Sequence, residues 1–128
     1  MNTMNIWYGC NENKWLSNLA ARPFYYKGKH YVSVEMCYQT WKSGEFDSST
    51  YKKHWKEGVK IPGRKGTKTR DDWNVGLMKH IMTLSFLHNP PALDRLKDLG
   101  DVEFTHRQDH GVWRTLFPTI LKEIQTTI

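Results

Sequence analysis

Two aromatic and β-branched runs, 24–26 and 30–32, flank Lys27-Gly28-Lys29, the spacing of a hairpin with glycine in its turn. Directly after it the apolar period changes from two to 3.6. Ser33 stands as an N-cap for a helix predicted to run to about Ser43, with Gly44 placed for the left-handed position past its end. Val34, Cys37 and Trp41 fall on one flank of that helix, while Glu35, Tyr38, Gln39 and Lys42 share an adjoining polar arc. Thr69 and Asp72 form a capping-box-like start for a second helix, where Trp73, Leu77, Ile81 and Leu84 recur at helical spacing up to Leu87 or His88. Asn89 followed by proline opens a third, with Leu93, Leu96 and Leu99 inward until Gly100. Residues 102–106 alternate as a strand, 108–111 turn, and Pro118, Ile120, Leu121 and Ile124 predict a closing helix. Upstream, 5–8 reads as a short strand and 11–18 as a polar loop around Trp15 and Leu16. The architecture predicted is α+β: a small single domain, 1–128, with helices packed around a small mixed or antiparallel sheet.

A length of 128 residues leaves room for one domain and argues against a two-domain enzyme. No run reaches the roughly 18 apolar residues of a membrane helix, and the first ten residues lack the charged start and apolar middle of a secretory signal. The expectation is a soluble protein of the cytoplasm, the host's if the source is viral, without membrane partners. Two cysteines, Cys10 and Cys37, are too few for a disulfide framework and are read as free, partly buried thiols.

Charge is unevenly placed. Residues 52–70 hold Lys52, Lys53, Lys56, Lys60, Arg64, Lys65, Lys68 and Arg70 against Glu57, so this stretch carries more than the whole chain's net +6. Broken by Gly58, Pro62, Gly63 and Gly66, it reads as an irregular surface segment able to meet phosphates, with Lys60, Arg64, Lys65, Lys68 and Arg70 as nucleic-acid contacts. A solvated charged loop would have the same composition. The glycines do not make a P-loop, because Gly-Lys-Ser/Thr never occurs among them.

Glu35 and Lys42 lie seven residues apart, two helical turns or ~10 Å of rise, so a small ligand could sit between them. The carboxylate could act as general acid or base or stabilise positive charge at a sugar carbon. The lysine could contact phosphate or attack an opened sugar aldehyde. An amphipathic surface helix shows the same spacing, which is not specific by itself. His106, Asp109, His110 and Trp113 form a further polar-aromatic cluster. His106 and His110 would suit a metal pair only on a helix, and Gln108, Asp109 and Gly111 favour a turn, so no metal or cofactor is expected. Trp41 and Trp73 fall at core positions, whereas Trp15 and Trp113, beside polar turns, are candidate ligand contacts.

Four segments together resemble the NADAR (YbiA-like) superfamily, especially its short phage-like members. They are Trp15-Leu16-Ser17-Asn18-Leu19, the unbroken stretch from Tyr31 through Ser33, Glu35, Tyr38 and Gln39 to Lys42, Arg70-Asp71-Asp72-Trp73, and Asp109 to Trp113. The stretch ending at Lys42 is similar to the family's Ser-x-Glu-x-x-Tyr/Phe-Gln-x-x-Lys signature. The resemblance implies hydrolysis of a ribosyl N-glycosidic bond, with Glu35 the catalytic carboxylate and Lys42 either contacting the ribose or forming a transient imine. It implies that Tyr38 and Gln39 shape the pocket, Ser17 and Asn18 contact sugar or phosphate, Asp72 and Trp73 hold a wall, and Asp109 with Trp113 closes the far side. The chain departs from the family at Trp113-Arg114, at Leu116-Phe117-Pro118, and at Thr105-His106 where others carry an acid. His106 is there a candidate donor.

Joined to the basic stretch, the resemblance favours removal of ADP-ribose from guanine in DNA or RNA, reversing a toxin's or defence system's modification. Two alternatives remain open: cleavage of a small phosphorylated ribosylamino-pyrimidine, and a non-catalytic module that binds NAD or ADP-ribose. The partner expected is thus ADP-ribosylated nucleic acid or an ADP-ribose-like ligand, with oligomeric state left open.

Overall fold

The structure, a computed structural model, describes residues 2–8, 12–57 and 72–128. Cys10, Thr69, Asp71 and the candidate nucleic-acid contacts Lys60, Arg64, Lys65, Lys68 and Arg70 lie outside the described residues.

The hairpin forms as expected. Strand β2 (Phe24–Tyr26) pairs antiparallel with β3 (Lys29–Tyr31), Phe24 opposite Tyr31 and Tyr26 opposite Lys29. Lys27 and Gly28 make the two-residue turn with φ of 49° and 79°, the positive values a type I′ turn requires. Alternation puts Phe24, Tyr26 and Tyr31 into the core and leaves Tyr25 outside. Ser33 then caps helix α1 (Val34–Trp41), its Oγ accepting the Met36 N–H at 3.2 Å.

Helix α1 ends two residues before the expected Ser43. Lys42 turns to extended backbone, ψ 148°, and Ser43 and Gly44 both take positive φ. The Ser43 N–H is satisfied by Asn74 Oδ1 from a distant helix, a partner invisible to local spacing. Gly44 is favoured by its φ of 86° and not by crowding, since a Cβ there would meet the Trp73 ring at an ordinary 3.5 Å.

A helix absent from the sequence reading follows, α2 (Ser48–Glu57). Asp47 caps it, with Oδ1 accepting the Ser49 and Thr50 N–H groups at 3.1 and 3.2 Å. Lys52, Lys53 and Lys56 therefore stand on a helix and not in an irregular loop.

Helix α3 (Asp72–Leu87) is the central element. Leu77 and Ile81 are buried as expected, but so are Asn74, Met78, Met82, Ser85 and Phe86, because α1, β2 and later helices pack on it from several sides. Trp73, expected in the core, is 42% exposed. Helix α4 (Pro90–Asp98) begins after Asn89, yet the Asn89 amide does not cap it. It donates instead to Ser85 O at 2.7 Å and Pro23 O at 2.8 Å, pinning α3 to the hairpin.

Strand β4 (Val102–Thr105) pairs parallel with β1 (Asn2–Asn5), Asn2 opposite Val102 and Asn5 opposite Thr105. The strand expected at 5–8 thus starts and ends earlier, leaving Trp7 and Tyr8 beyond its end. Among the described residues the strands make two two-stranded sheets, one parallel and one antiparallel, where a single small sheet was expected. Helix α5 (Trp113–Thr127) starts five residues before Pro118, and Gln125 Nε2 donates to Leu96 O and Gly100 O at 3.0 and 2.9 Å, closing the end of α4. Cys37 is fully buried, not partly, within the hydrophobic core cluster. Among the described residues no helix is long and apolar enough to cross a membrane.

Candidate active site

Glu35 lies in the first turn of α1, where the helix dipole and unpaired N–H groups favour a carboxylate. Its own N–H donates to Asn18 O at 2.9 Å, which holds the Ser17–Asn18 turn against the helix start. Arg22 Nη1 pins the same turn from behind, donating to Trp15 O at 2.6 Å and Ser17 O at 3.0 Å. The front of this junction opens into a cavity of about 400 Å³, bordered by Ser17, Asn18, Glu35, Tyr38, Gln39 and Lys42. His106, Asp109 and Trp113 face them from the chain beyond β4 and from α5. The cavity lies past the carboxyl ends of the parallel pair β1 and β4, the side on which parallel strands commonly present ligand contacts.

Burial raises the Glu35 carboxyl above its ordinary value. The Gln39 amide, donating to Oε1 at 2.7 Å, and the Lys42 charge oppose the rise, Asp109 adds to it, and His106 reduces it. The resultant is a carboxyl that holds its proton more firmly than in water, as a general acid must. The kink after α1 makes Lys42 part of this group even though it stands past the helix: it is buried, with Nζ 5.9 Å from the Tyr38 ring centre.

Two polar atoms in the wall lack a partner among the described residues. The Tyr38 hydroxyl is buried and closes no hydrogen bond of ordinary geometry, with Trp113 edge-on to its ring at 5.6 Å; burial and then the Glu35 charge push this phenol up, while the Trp113 side chain opposes the rise. Asn18 donates weakly to Met78 Sδ at 3.4 Å and leaves Oδ1 without a donor. A buried hydroxyl and a buried amide oxygen left open beside a carboxylate are suited to the hydroxyls of a sugar.

His106 meets an acceptor on each ring nitrogen: Ile6 O at 2.7 Å from Nδ1 and Asp109 Oδ2 at 3.0 Å from Nε2. Both contacts are hydrogen bonds only when the ring carries two protons. These two contacts hold the His106 ring in the wall opposite Glu35. His110 follows outside any helix, so the helical spacing of a metal pair is not realised, and no three His, Cys, Asp or Glu side chains gather into a metal cluster among the described residues.

Nine of the residues expected at the site share this cavity: Ser17, Asn18, Glu35, Tyr38, Gln39, Lys42, His106, Asp109 and Trp113. Three stand elsewhere. Trp15 lies beneath the Arg95 guanidinium, 4.1 Å from its ring centre. Asp72 is exposed at the start of α3, and Trp73 packs on Gly44 with Nε1 3.4 Å from Trp41 O, so neither borders this cavity. Trp7, Tyr8, Leu19, Met78 and Phe117 border it without having been expected. Trp7 and Tyr8 had one signal in the sequence, two adjacent aromatics leaving the end of a strand.

No family model and no curated protein matches the sequence. Among solved structures, the NMR structure of the Escherichia coli protein YbiA is similar to this chain with a TM-score of 0.70 at 15% identity. The likeness covers 97% of this chain and 83% of that one. At that identity the likeness is one of fold: the chain has a YbiA-like fold, as the four sequence segments led one to expect.

Proposed function

We propose that this chain is an N-glycosidic bond hydrolase that removes ADP-ribose from guanine in nucleic acid, with Glu35 as its catalytic carboxyl. The observation that carries the reading is one carboxyl, made more proton-retentive by burial, set in a cavity of about 400 Å³ beside a lysine, an open hydroxyl and an open amide oxygen. The NADAR-like fold supports N-glycosidic chemistry, and the basic stretch at 52–70 supports a phosphodiester substrate.

In this mechanism protonated Glu35 delivers its proton to the guanine nitrogen as the C1′–N bond breaks, the bonding pair leaving with the base. The sugar carbon gains oxocarbenium character beside the new carboxylate. Water then bonds to C1′ and gives its proton to Glu35, which returns to its starting state; the products are guanine in the strand and free ADP-ribose. Lys42, buried in the cavity wall, is assigned to hold a ribose oxygen and not to attack C1′. Asn18 and Tyr38 supply the acceptor and donor that fix the sugar.

The test is release of ADP-ribose from a single-stranded oligonucleotide carrying ADP-ribosyl-guanine, beside a small ribosylamino-pyrimidine phosphate. Release from the oligonucleotide supports the reading; turnover of the small substrate alone overturns it. Borohydride added during turnover is expected to trap no protein adduct, while Lys42→Ala lowers kcat/KM by roughly 10²-fold. A trapped adduct lost in Lys42→Ala would assign an imine to Lys42 instead.

A further inference from the structure

Away from the cavity, helix α2 and the hairpin present a continuous run of rings to solvent. Tyr25 is 60% exposed and Trp55 55% exposed. His30 joins them, 5.2 Å from the Tyr25 ring and edge-on to Trp55 at 5.8 Å. Tyr51 lies nearly parallel to Trp55, 24° between planes at 6.1 Å. Cations surround the rings: Lys29 sits 5.4 Å over Tyr51, and Lys52, Lys53 and Lys56 stand beside Trp55 around a shallow concavity of about 380 Å³. None of these residues borders the cavity of Glu35.

We infer that this face, built on Tyr25, His30 and Trp55 and edged by Lys29, Lys52 and Lys53, is a stacking platform for single-stranded nucleic acid. Exposed ring planes interleaved with lysines are what an unpaired strand needs, since every base has a π-face and every link a phosphate. A membrane surface fits less well: Ser48–Glu57 contains no aliphatic residue, so Trp55 is not the crest of an apolar helix face. An acidic peptide would use the lysines and leave the rings idle. The inference is independent of the reaction proposed for the cavity, because it concerns unmodified strands.

The experiment is fluorescence anisotropy of a labelled, unmodified oligothymidine with the full chain across a salt series, with duplex of equal length and anionic phosphatidylserine vesicles as competitors. Wild type is expected to bind the single strand more tightly than the duplex. Trp55→Ala or Tyr25→Ala, both at exposed positions that leave the core intact, weakens it about tenfold. Replacing Lys52 and Lys53 together by Gln lowers the slope of log affinity against log salt by about 1.4, while Glu35→Gln binds as wild type does. Unchanged binding in both aromatic variants, equal affinity for duplex, or displacement by vesicles at lower concentration than by free oligonucleotide would each overturn the platform.

Discussion

Glu35→Gln is expected to lower kcat on the ADP-ribosyl oligonucleotide by about 10³-fold or more, with the KM shifted no more than a few-fold. The amide keeps the shape of the carboxyl and can still accept from Gln39, so binding survives while the proton supply and the anion beside C1′ are both lost. The same substitution has an opposite effect on stability. Burial raises the folded-state carboxyl above its ordinary value, so the folded protein binds this proton more tightly than the unfolded chain does. Wild type therefore loses stability as pH rises from the ordinary carboxylate value through the raised one, and keeps the full value only below that window. Glu35→Gln is expected to be more stable than wild type at neutral pH and equal to it in acid, measured as urea midpoints across the range. The kcat profile falls over the same raised window as Glu35 loses its proton. Full activity in Glu35→Gln, or a variant less stable than wild type at neutral pH, would remove Glu35 from its assigned place.

The elements around Glu35 were legible where local rules act and not where distant partners do. The hairpin and the start of α1 were readable because the glycine in the turn and the Ser33 cap act within a few residues of themselves. The place of Glu35 in the first turn was readable for the same reason, whereas the role expected of it came from the resemblance and not from local spacing. The kink after Trp41 was not, because its stabilising partner is Asn74, on another helix. Helix α2 escaped because hydrophobic periodicity was the guide and its sequence is polar; Asp47 before Ser-Ser-Thr was the available signal. Trp73 and Trp15 show the reverse error. A helical period identifies a buried face but not how far that face extends toward the helix end, and Trp73 is in the first turn of α3. Trp15 had the signature of a ligand contact, an aromatic beside polar turns, but Arg95 from α4 covers its ring. His106, Asp109 and Trp113 were legible as a polar-aromatic cluster, but Trp7 and Tyr8 in the same wall were not, since their place depends on β1 pairing with β4 from the other end of the chain.

Arg22→Met is expected to cost about 3 kcal/mol of stability, more than most single substitutions, and to weaken catalysis in the fraction that folds. Arginines are seldom buried without a carboxylate, yet Arg22 is 3% exposed and its guanidinium is held by two carbonyls, the Ser85 hydroxyl and the Phe86 ring 4.4 Å away. Burial lowers its pKa to about 9, a measure of what keeping the cation inside costs. The return is positional. Trp15 O and Ser17 O both accept from this one guanidinium, and the turn they belong to presents Asn18 to Glu35. Methionine keeps the packing of the stem but takes that donor from both carbonyls. Lysine at 22 would restore the charge but not the planar guanidinium whose Nη1 bonds both carbonyls while its Nε bonds the Ser85 hydroxyl. Urea unfolding should show a lower midpoint with an unchanged slope. Assayed where the variant is still folded, kcat/KM should fall with the loss of a fixed Ser17–Asn18 wall, while the response to pH, which belongs to Glu35, keeps its shape. A variant that unfolds like wild type would mean that the turn is held by its backbone bonds, the one from Glu35 to Asn18 among them. The buried arginine would then have no part in shaping the cavity.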